Sequence, residues 1–262
     1  MKLSRDFVSN RKLYHREIRR IRGQQGSNCN RIKDENDRLL ERKEEVLGRW
    51  RDYFKNLMNA GDNRNAEITC WGMNGGFGVS KKQVNITRNE VKKAIKKLKL
   101  GKAPGVDGIR SEMLKYGGEV MIDILWRVCK VAWEIGEVPV EWTMAVIVPL
   151  YKGKGSKEAC MNFRGISLLS IPGKVYGRLI IERVKEITRG VIGGEQGAFM
   201  DGRGCVDQIH TVRLMIEKYI CKRRKLYAAF IDLEKAYDRV DRKALWDVLR
   251  IYGVGGELLS AV

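Results

Sequence analysis

The sequence predicts an α+β fold of helices plus short antiparallel strands. Three observations carry this expectation. Apolar residues recur at intervals of three and four in several long segments. Two β-branched runs, TMAVIVPLY and GISLLS, have strand length. Glycine and proline clusters separate these stretches. The 262 residues are 44% hydrophobic, which argues against wholesale disorder and suits one large or two small domains.

Taken in order, residues 1–31 are polar and basic and read as a tail or linker. Residues 32–80 hold a helix and a connection. Leu39, Leu40, Val46, Leu47, Trp50, Phe54, Leu57 and Met58 trace one stripe of an amphipathic helix, and WGMNGGFG at 71–78 breaks any element. Thr87 with Glu90 is a capping box opening a helix whose apolar face is Val91, Ala94, Ile95 and Leu98. Its other faces carry Lys92, Lys93, Lys96, Lys97 and Lys99, and it is expected to end at Gly101 before the turn KAPGVDGI, which holds Lys102. Met121, Ile124, Leu125, Val128, Val131, Ala132 and Ile135 predict the next helix, stopped by Gly136 and Pro139. The two short strands follow. Further helices are predicted around Val175–Ile187 and Val206–Tyr219, then LYAAFIDL as a buried strand, and a last helix from Ala244.

The charge is one-sided. There are 51 Lys and Arg against 32 Asp and Glu, 51 − 32 = +19. Residues 1–22 hold eight basic and two acidic side chains and residues 81–102 nine basic and one acidic, Glu90. A third cluster is Lys218, Lys222, Arg223, Arg224 and Lys225. Cations packed this densely repel one another unless a polyanion is near, and phosphate backbones are the usual one; solvated helix faces are the plain alternative. No stretch reaches the roughly 18 apolar residues of a membrane span. Without a leader-like apolar run near Met1, an intracellular location, nucleus or cytoplasm, is expected. The six cysteines contain no C-x-x-C pair, so they read as reduced core thiols rather than zinc ligands or disulfides.

Candidate chemistry gathers at two places. The apolar run Leu226–Ile231 ends in Asp232, and a carboxylate at a strand end is a common platform for Mg²⁺. The competing reading is a helix cap, a role for which Asp238 and Asp241 also qualify. The second place is YKGKGSK, whose glycines and lysines suit phosphate but lack the P-loop spacing. There Lys152, Lys154, Lys157 and Arg164 flank the two strands, Arg164 offering bidentate geometry and Lys152 a point charge.

In sequence and spacing, KAPGVDGIRSEMLK, EWTMAVIVPLYKGKG, NFRGISLLS, EQGAFMDGRGCVDQI and AAFIDLEKAYDRV resemble successive blocks of the reverse transcriptases of non-LTR (LINE-type, jockey-like) retrotransposons, over about residues 87–252. IKDENDRLLERKEEVLGRWRDYFKNLM resembles the stretch before that domain in jockey-like elements, where it follows an endonuclease. The resemblance implies a right-hand polymerase fold. Residues 81–221 would be fingers and template-contacting region, and 222–262 the start of an incomplete palm. It implies an RNA-directed DNA polymerase acting on an RNA template, a DNA primer and deoxynucleoside triphosphates. In the complete parent, two Mg²⁺ ions would be ligated by Asp232. The backbone at Leu233 would help hold metal or triphosphate, Tyr237 would exclude ribonucleotides, and Lys152 and Arg164 would grip the triphosphate. Gln196, Gly197, Arg203 and Asp207 are the recognisable members of the fingers-to-palm block, and Lys92, Lys93, Lys96, Lys97, Lys99 and Lys102 lie in the template-contacting extension.

Two departures bear on this. Phe163 and Gly165 stand where the family has Tyr and Pro, which is expected to loosen the strand aiming Arg164. The 262 residues hold no Y-x-D-D block and no thumb, so this chain alone is expected to be inactive, with low solubility or partial disorder from about residue 222 onward and a better-ordered fingers region. A non-catalytic RNA-binding protein derived from a reverse transcriptase is the alternative function.

Overall fold

A computed structural model describes residues 31–59 and 85–262, which fall in two compact units: 31–59 with 145–168, and 85–144 with 169–262. The expected basic tail and the WGMNGGFG connection lie outside the described residues. The α+β class holds.

In the first unit, β1 (Ile32–Lys33) pairs antiparallel with β2 (Leu39–Leu40), Ile32 opposite Leu40. Asp34 closes the turn between them, its carboxylate accepting from the backbone N–H groups of Asn36 (2.8 Å) and Arg38 (2.9 Å). This corrects the helix predicted from Leu39. Helix α1 begins at Lys43 (Lys43–Met58), because Leu40 pairs back to Ile32 and packs on the same aromatic cluster. Trp50 stacks on Phe54 with ring centroids 5.6 Å apart and meets Phe163 edge-on at 5.0 Å, so α1 is seated on β4 (Phe163–Leu169), which pairs with β3 (Ala145–Tyr151). Both strands occur where the β-branched runs predicted them.

The second unit is helical. Helix α2 (Arg88–Lys96) has the predicted capping box, then α3 (Ser111–Tyr116), α4 (Gly118–Ile135), α5 (Val140–Thr143) and α6 (Ile171–Thr188). Helices α7 (Cys205–Cys221), α8 (Arg242–Ile251) and α9 (Gly256–Ala261) follow. Val91, Ala94 and Ile95 of α2 are buried as predicted, against Leu125, Cys129 and Trp133 of α4 and Val175 and Leu179 of α6. Helix α2 stops at Lys96 rather than Gly101, where the Leu98 N–H bonds the Ile95 carbonyl and tightens the last turn.

Three burial expectations are overturned. The buried face of α4 is Ile122, Leu125, Cys129, Ala132 and Trp133: Leu125 and Ala132 of the predicted stripe are buried, whereas its Ile124, Val128, Val131 and Ile135 are exposed. The apolar arc of this helix is wider than the surface it buries, and periodicity cannot choose which part of the arc is covered. Helix α7 forms where predicted, but none of its residues is buried. Leu226–Ile231 is neither strand nor buried. A strand needs a neighbour for its N–H and C=O groups, and no described segment pairs with this one.

One carboxylate ties the helical unit together. The Glu90 side chain accepts from the Thr87 backbone N–H (2.7 Å) and hydroxyl (2.8 Å), closing the cap. From α6, Arg183 donates to the same carboxylate at 3.1 and 3.2 Å and lays its guanidinium over the Trp133 ring of α4, 4.8 Å from the centroid. Partial burial pushes Glu90 up, but the Thr87 N–H and hydroxyl and the Arg183 charge outweigh it and hold the carboxyl below the usual glutamate range. The folded state thus favours the carboxylate. That stability is complete above the ordinary value, about 4.3, and is lost as pH falls through the lower folded-state value. Arg183→Ala is expected to cost about 1–3 kcal/mol at pH 7, and thermal melts should show this penalty shrinking below about pH 4 as Glu90 protonates.

Candidate nucleotide and nucleic-acid site

The lysines of α2 divide by what they touch. Lys92 is half-buried and donates to Glu119 of α4 at 2.6 Å. Glu119 also accepts from Arg88 at 2.6 Å, and Arg88 bonds Asp123. Lys92 and then Arg88 hold the Glu119 carboxyl below its usual range, and Arg88 does the same for Asp123. Lys97 pairs with Glu182 of α6 at 3.3 Å. Lys93, Lys96, Lys99 and Lys102 are exposed. The surface open to a polyanion is therefore this second set.

The loop leading from these lysines is pinned. A Cβ on Gly105 would lie 2.4 Å from the Ser170 backbone nitrogen, so only glycine permits this approach. Beside it the Ser170 hydroxyl, buried at the start of α6, donates to Asp107 at 2.7 Å and accepts from the Gly173 N–H at 3.1 Å. KAPGVDGI is thus anchored to the helix that carries Arg183.

Lys152 and Arg164 belong to the first unit. Lys152 follows β3 and its ammonium donates to the Met161 carbonyl at 2.8 Å, while its backbone N–H bonds the Asn162 carbonyl at 2.9 Å. Lys157 lies over the Tyr151 ring, 5.6 Å from its centroid. Arg164 on β4 is exposed, beside Phe163, which is buried in the aromatic cluster. Gly165 explains why that strand lacks a larger residue. Its missing Cβ would lie 2.7 Å from Cε1 of the buried Phe54, so the glycine lets α1 approach the strand.

Asp232, Leu233 and Tyr237 belong to the second unit, on the segment without strand structure. Asp232 is exposed, Leu233 is 71% exposed and Tyr237, in a 3₁₀ turn over Ala236–Arg239, is 77% exposed. Asp232 caps no helix. Asp241 caps α8 instead, accepting from the Ala244 N–H at 3.0 Å. Among the described residues no three His, Cys, Asp or Glu side chains cluster to hold a metal. A single exposed carboxylate does not provide the several fixed oxygen ligands that a pair of Mg²⁺ ions needs, so the described residues do not fit a two-metal centre.

Arg203 and Phe199 carry structure that their sequence block did not reveal. Arg203 gathers the carbonyls of Gly193, Gly194 and Gln196 at 2.8–3.0 Å. Phe199 meets Tyr237 edge-on, ring centroids 6.0 Å apart. The only sequence signal was an arginine among glycines, where a loop lacks side chains of its own to hold it.

Burial also accounts for the thiols. Cys129 and Cys160 are buried as expected, and burial pushes the Cys129 thiol up to about 12, which makes it inert at neutral pH, whereas Cys205 and Cys221 are exposed on α7 and correct the reading of a core thiol there. Among the described residues no helix is long and apolar enough to cross a membrane.

Residues 152–260 match the family described as reverse transcriptase (RNA-dependent DNA polymerase), so this chain carries reverse transcriptase sequence over part of its length. Its relatives include RNA-directed DNA polymerases of non-LTR retrotransposons. It is 32% identical over 153 residues to the probable RNA-directed DNA polymerase from transposon BS of Drosophila melanogaster, spanning 58% of this chain and 17% of that protein. It is 28% identical over 158 residues to the RNA-directed DNA polymerase from mobile element jockey of the same species, 59% of this chain and 17% of that one. Against the transposon TX1 uncharacterized 149 kDa protein of Xenopus laevis it is 31% identical over 177 residues, 67% of this chain and 13% of that protein. The chain thus spans 13–17% of the length of these relatives.

Gly165→Ala should destabilise the fold by about 1–3 kcal/mol through overpacking against Phe54, and Gly165→Pro, the residue common in the family, should do no better. Chemical denaturation of the three proteins checks both.

Proposed function

We propose that this chain supplies nucleotide- and nucleic-acid-binding surfaces of an RNA-directed DNA polymerase. The observation that carries the proposal is the reverse transcriptase match over residues 152–260, which includes Lys152, Arg164, Asp232, Leu233 and Tyr237. Lys152 and Arg164 bind the triphosphate of an incoming deoxynucleotide and neutralise charge on its phosphates. The backbone at Leu233 lies along the nucleotide, and Tyr237 closes the space that a ribose 2′-hydroxyl needs. Asp232 is the chain's contribution to a catalytic carboxylate set. Template RNA and primer run along the lysines of α2 and its loop, and the work is done inside the cell, in nucleus or cytoplasm.

The α2 surface binds by charge. Lysines on an exposed face neutralise phosphates without reading base edges, so affinity falls steeply with salt and varies little with sequence. Lys93, Lys96, Lys99 and Lys102 supply this attraction, whereas Lys92 and Lys97 serve first to fasten α2 to α4 and α6 through Glu119 and Glu182. Replacing the four exposed lysines by Ala should lower the log–log salt slope for RNA binding by up to about 3 and leave the melting temperature nearly unchanged. Lys92→Ala should instead lower the melting temperature. An unaltered slope in the fourfold variant would remove α2 from the interface.

The isolated Asp232 carboxylate favours a second reading for these 262 residues by themselves, binding of RNA without polymerisation. Primer extension on an RNA template, with Mg²⁺ or Mn²⁺ and purified chain, separates the two. No templated incorporation is expected, while filter binding of the same RNA should persist. Incorporation that disappears in Asp232→Ala would establish catalysis by this chain.

A further inference from the structure

We propose that Phe199 is a positioning residue for Tyr237, holding its ring at the angle from which it discriminates the sugar of a nucleoside triphosphate. This rests on the reading of Tyr237 as the sugar-excluding aromatic. The rings meet at 89° with centroids 6.0 Å apart, the edge-to-face arrangement that aromatic quadrupoles favour. Burial does not account for the contact, since Phe199 is 81% and Tyr237 77% exposed.

Both backbones are set for it. Phe199 has φ 59° and Lys235, which opens the 3₁₀ turn carrying Tyr237, has φ 52°. Side chains with a Cβ seldom adopt this left-handed region, and such residues persist where the surroundings over-determine them. For Phe199 the surroundings are explicit. The Arg203 guanidinium donates to the carbonyls of Gly193 (2.9 Å), Gly194 (3.0 Å) and Gln196 (2.8 Å), and the Gln196 amide donates to the Ala198 carbonyl at 3.1 Å. The Arg203 N–H closes the loop on the Met200 carbonyl at 3.3 Å. The loop is wound on one arginine, and Phe199 stands at its tip.

The physical need is clear. An exposed tyrosine in a short turn can change rotamer, and a ring that swings aside excludes nothing. Phe199 restricts that freedom from one side, and Tyr237, 77% exposed, stays accessible to a sugar. The pair acts as a corner, with Tyr237 as the wall and Phe199 as its brace.

The test uses the full 262-residue chain with dATP and ATP as probes. Their dissociation constants are measured by equilibrium dialysis for wild type, Phe199→Ala, Phe199→Tyr, Arg203→Ala and Tyr237→Ala. The fluorine resonance of a meta-fluorinated Tyr237 is followed alongside. Phe199→Ala and Arg203→Ala should lower the preference for dATP by roughly threefold to tenfold, the worth of one edge-to-face contact, and should shift the fluorine resonance. Phe199→Tyr should restore both. A resonance unmoved by Phe199→Ala overturns the proposal, as does a preference lost in Tyr237→Ala but intact in Phe199→Ala. Equal preference in wild type and Tyr237→Ala, or binding of neither nucleotide, would instead show that the reading of Tyr237 is at fault, and the proposal falls with it.

Discussion

The Glu90 carboxylate is bonded from two directions, by the Thr87 N–H and hydroxyl that begin its own helix and by the Arg183 guanidinium of α6. Most of the helical unit depends on this. Because Arg183 also lies over Trp133 of α4, one ion pair registers α2, α4 and α6 against each other at the edge of their shared apolar core. A capping box alone would orient only its own helix. Here the capping glutamate is also an acceptor for a partner far along the chain, which converts a local signal into a tertiary one.

That registration determines which cations remain available. With α2 held between α4 and α6, Lys92 and Lys97 fall opposite Glu119 and Glu182 and are drawn into ion pairs, while Lys93, Lys96, Lys99 and Lys102 face outward. Exposed pairs of this kind contribute at most about 1 kcal/mol each. Their effect is to thin the positive surface and confine it to one stripe. The pinned turn at Gly105 and Asp107 then carries that stripe onto the start of α6, so that the basic helix and its loop form one rigid surface.

A similar economy governs the segment around Asp232. In the first unit, the aromatic cluster of Trp50, Phe54 and Phe163 gives β4 a floor, and the strand forms. Leu226–Ile231 is just as apolar but has neither a floor nor a paired neighbour among the described residues, and it stays irregular. The order that exists nearby comes from side chains gripping backbone, Arg203 on three carbonyls and Asp241 on the start of α8.

Sequence by itself determined the class, the capping box, both central strands and every long helix, because these depend on local periodicity, turn residues and caps. The family was legible as well, since blocks in a given order survive without any knowledge of contacts. Burial was not legible. Helix α4 has an apolar arc wider than the face it buries, α7 has a regular stripe that stays exposed, and LYAAFIDL has strand composition without a strand. For α4, whose charged residues hold one face and whose apolar arc is wider than the surface it buries, as for α7 and LYAAFIDL, the deciding quantity is whether another segment arrives to cover the surface or accept its hydrogen bonds. The pairing of Leu40 with Ile32, the ion pairs of Lys92 and Lys97, the space required at Gly165 and the meeting of Phe199 with Tyr237 are likewise distances between residues remote or offset in the chain. Only the tertiary structure decides these, because residue type specifies what a group can bond and the packed fold specifies what it meets.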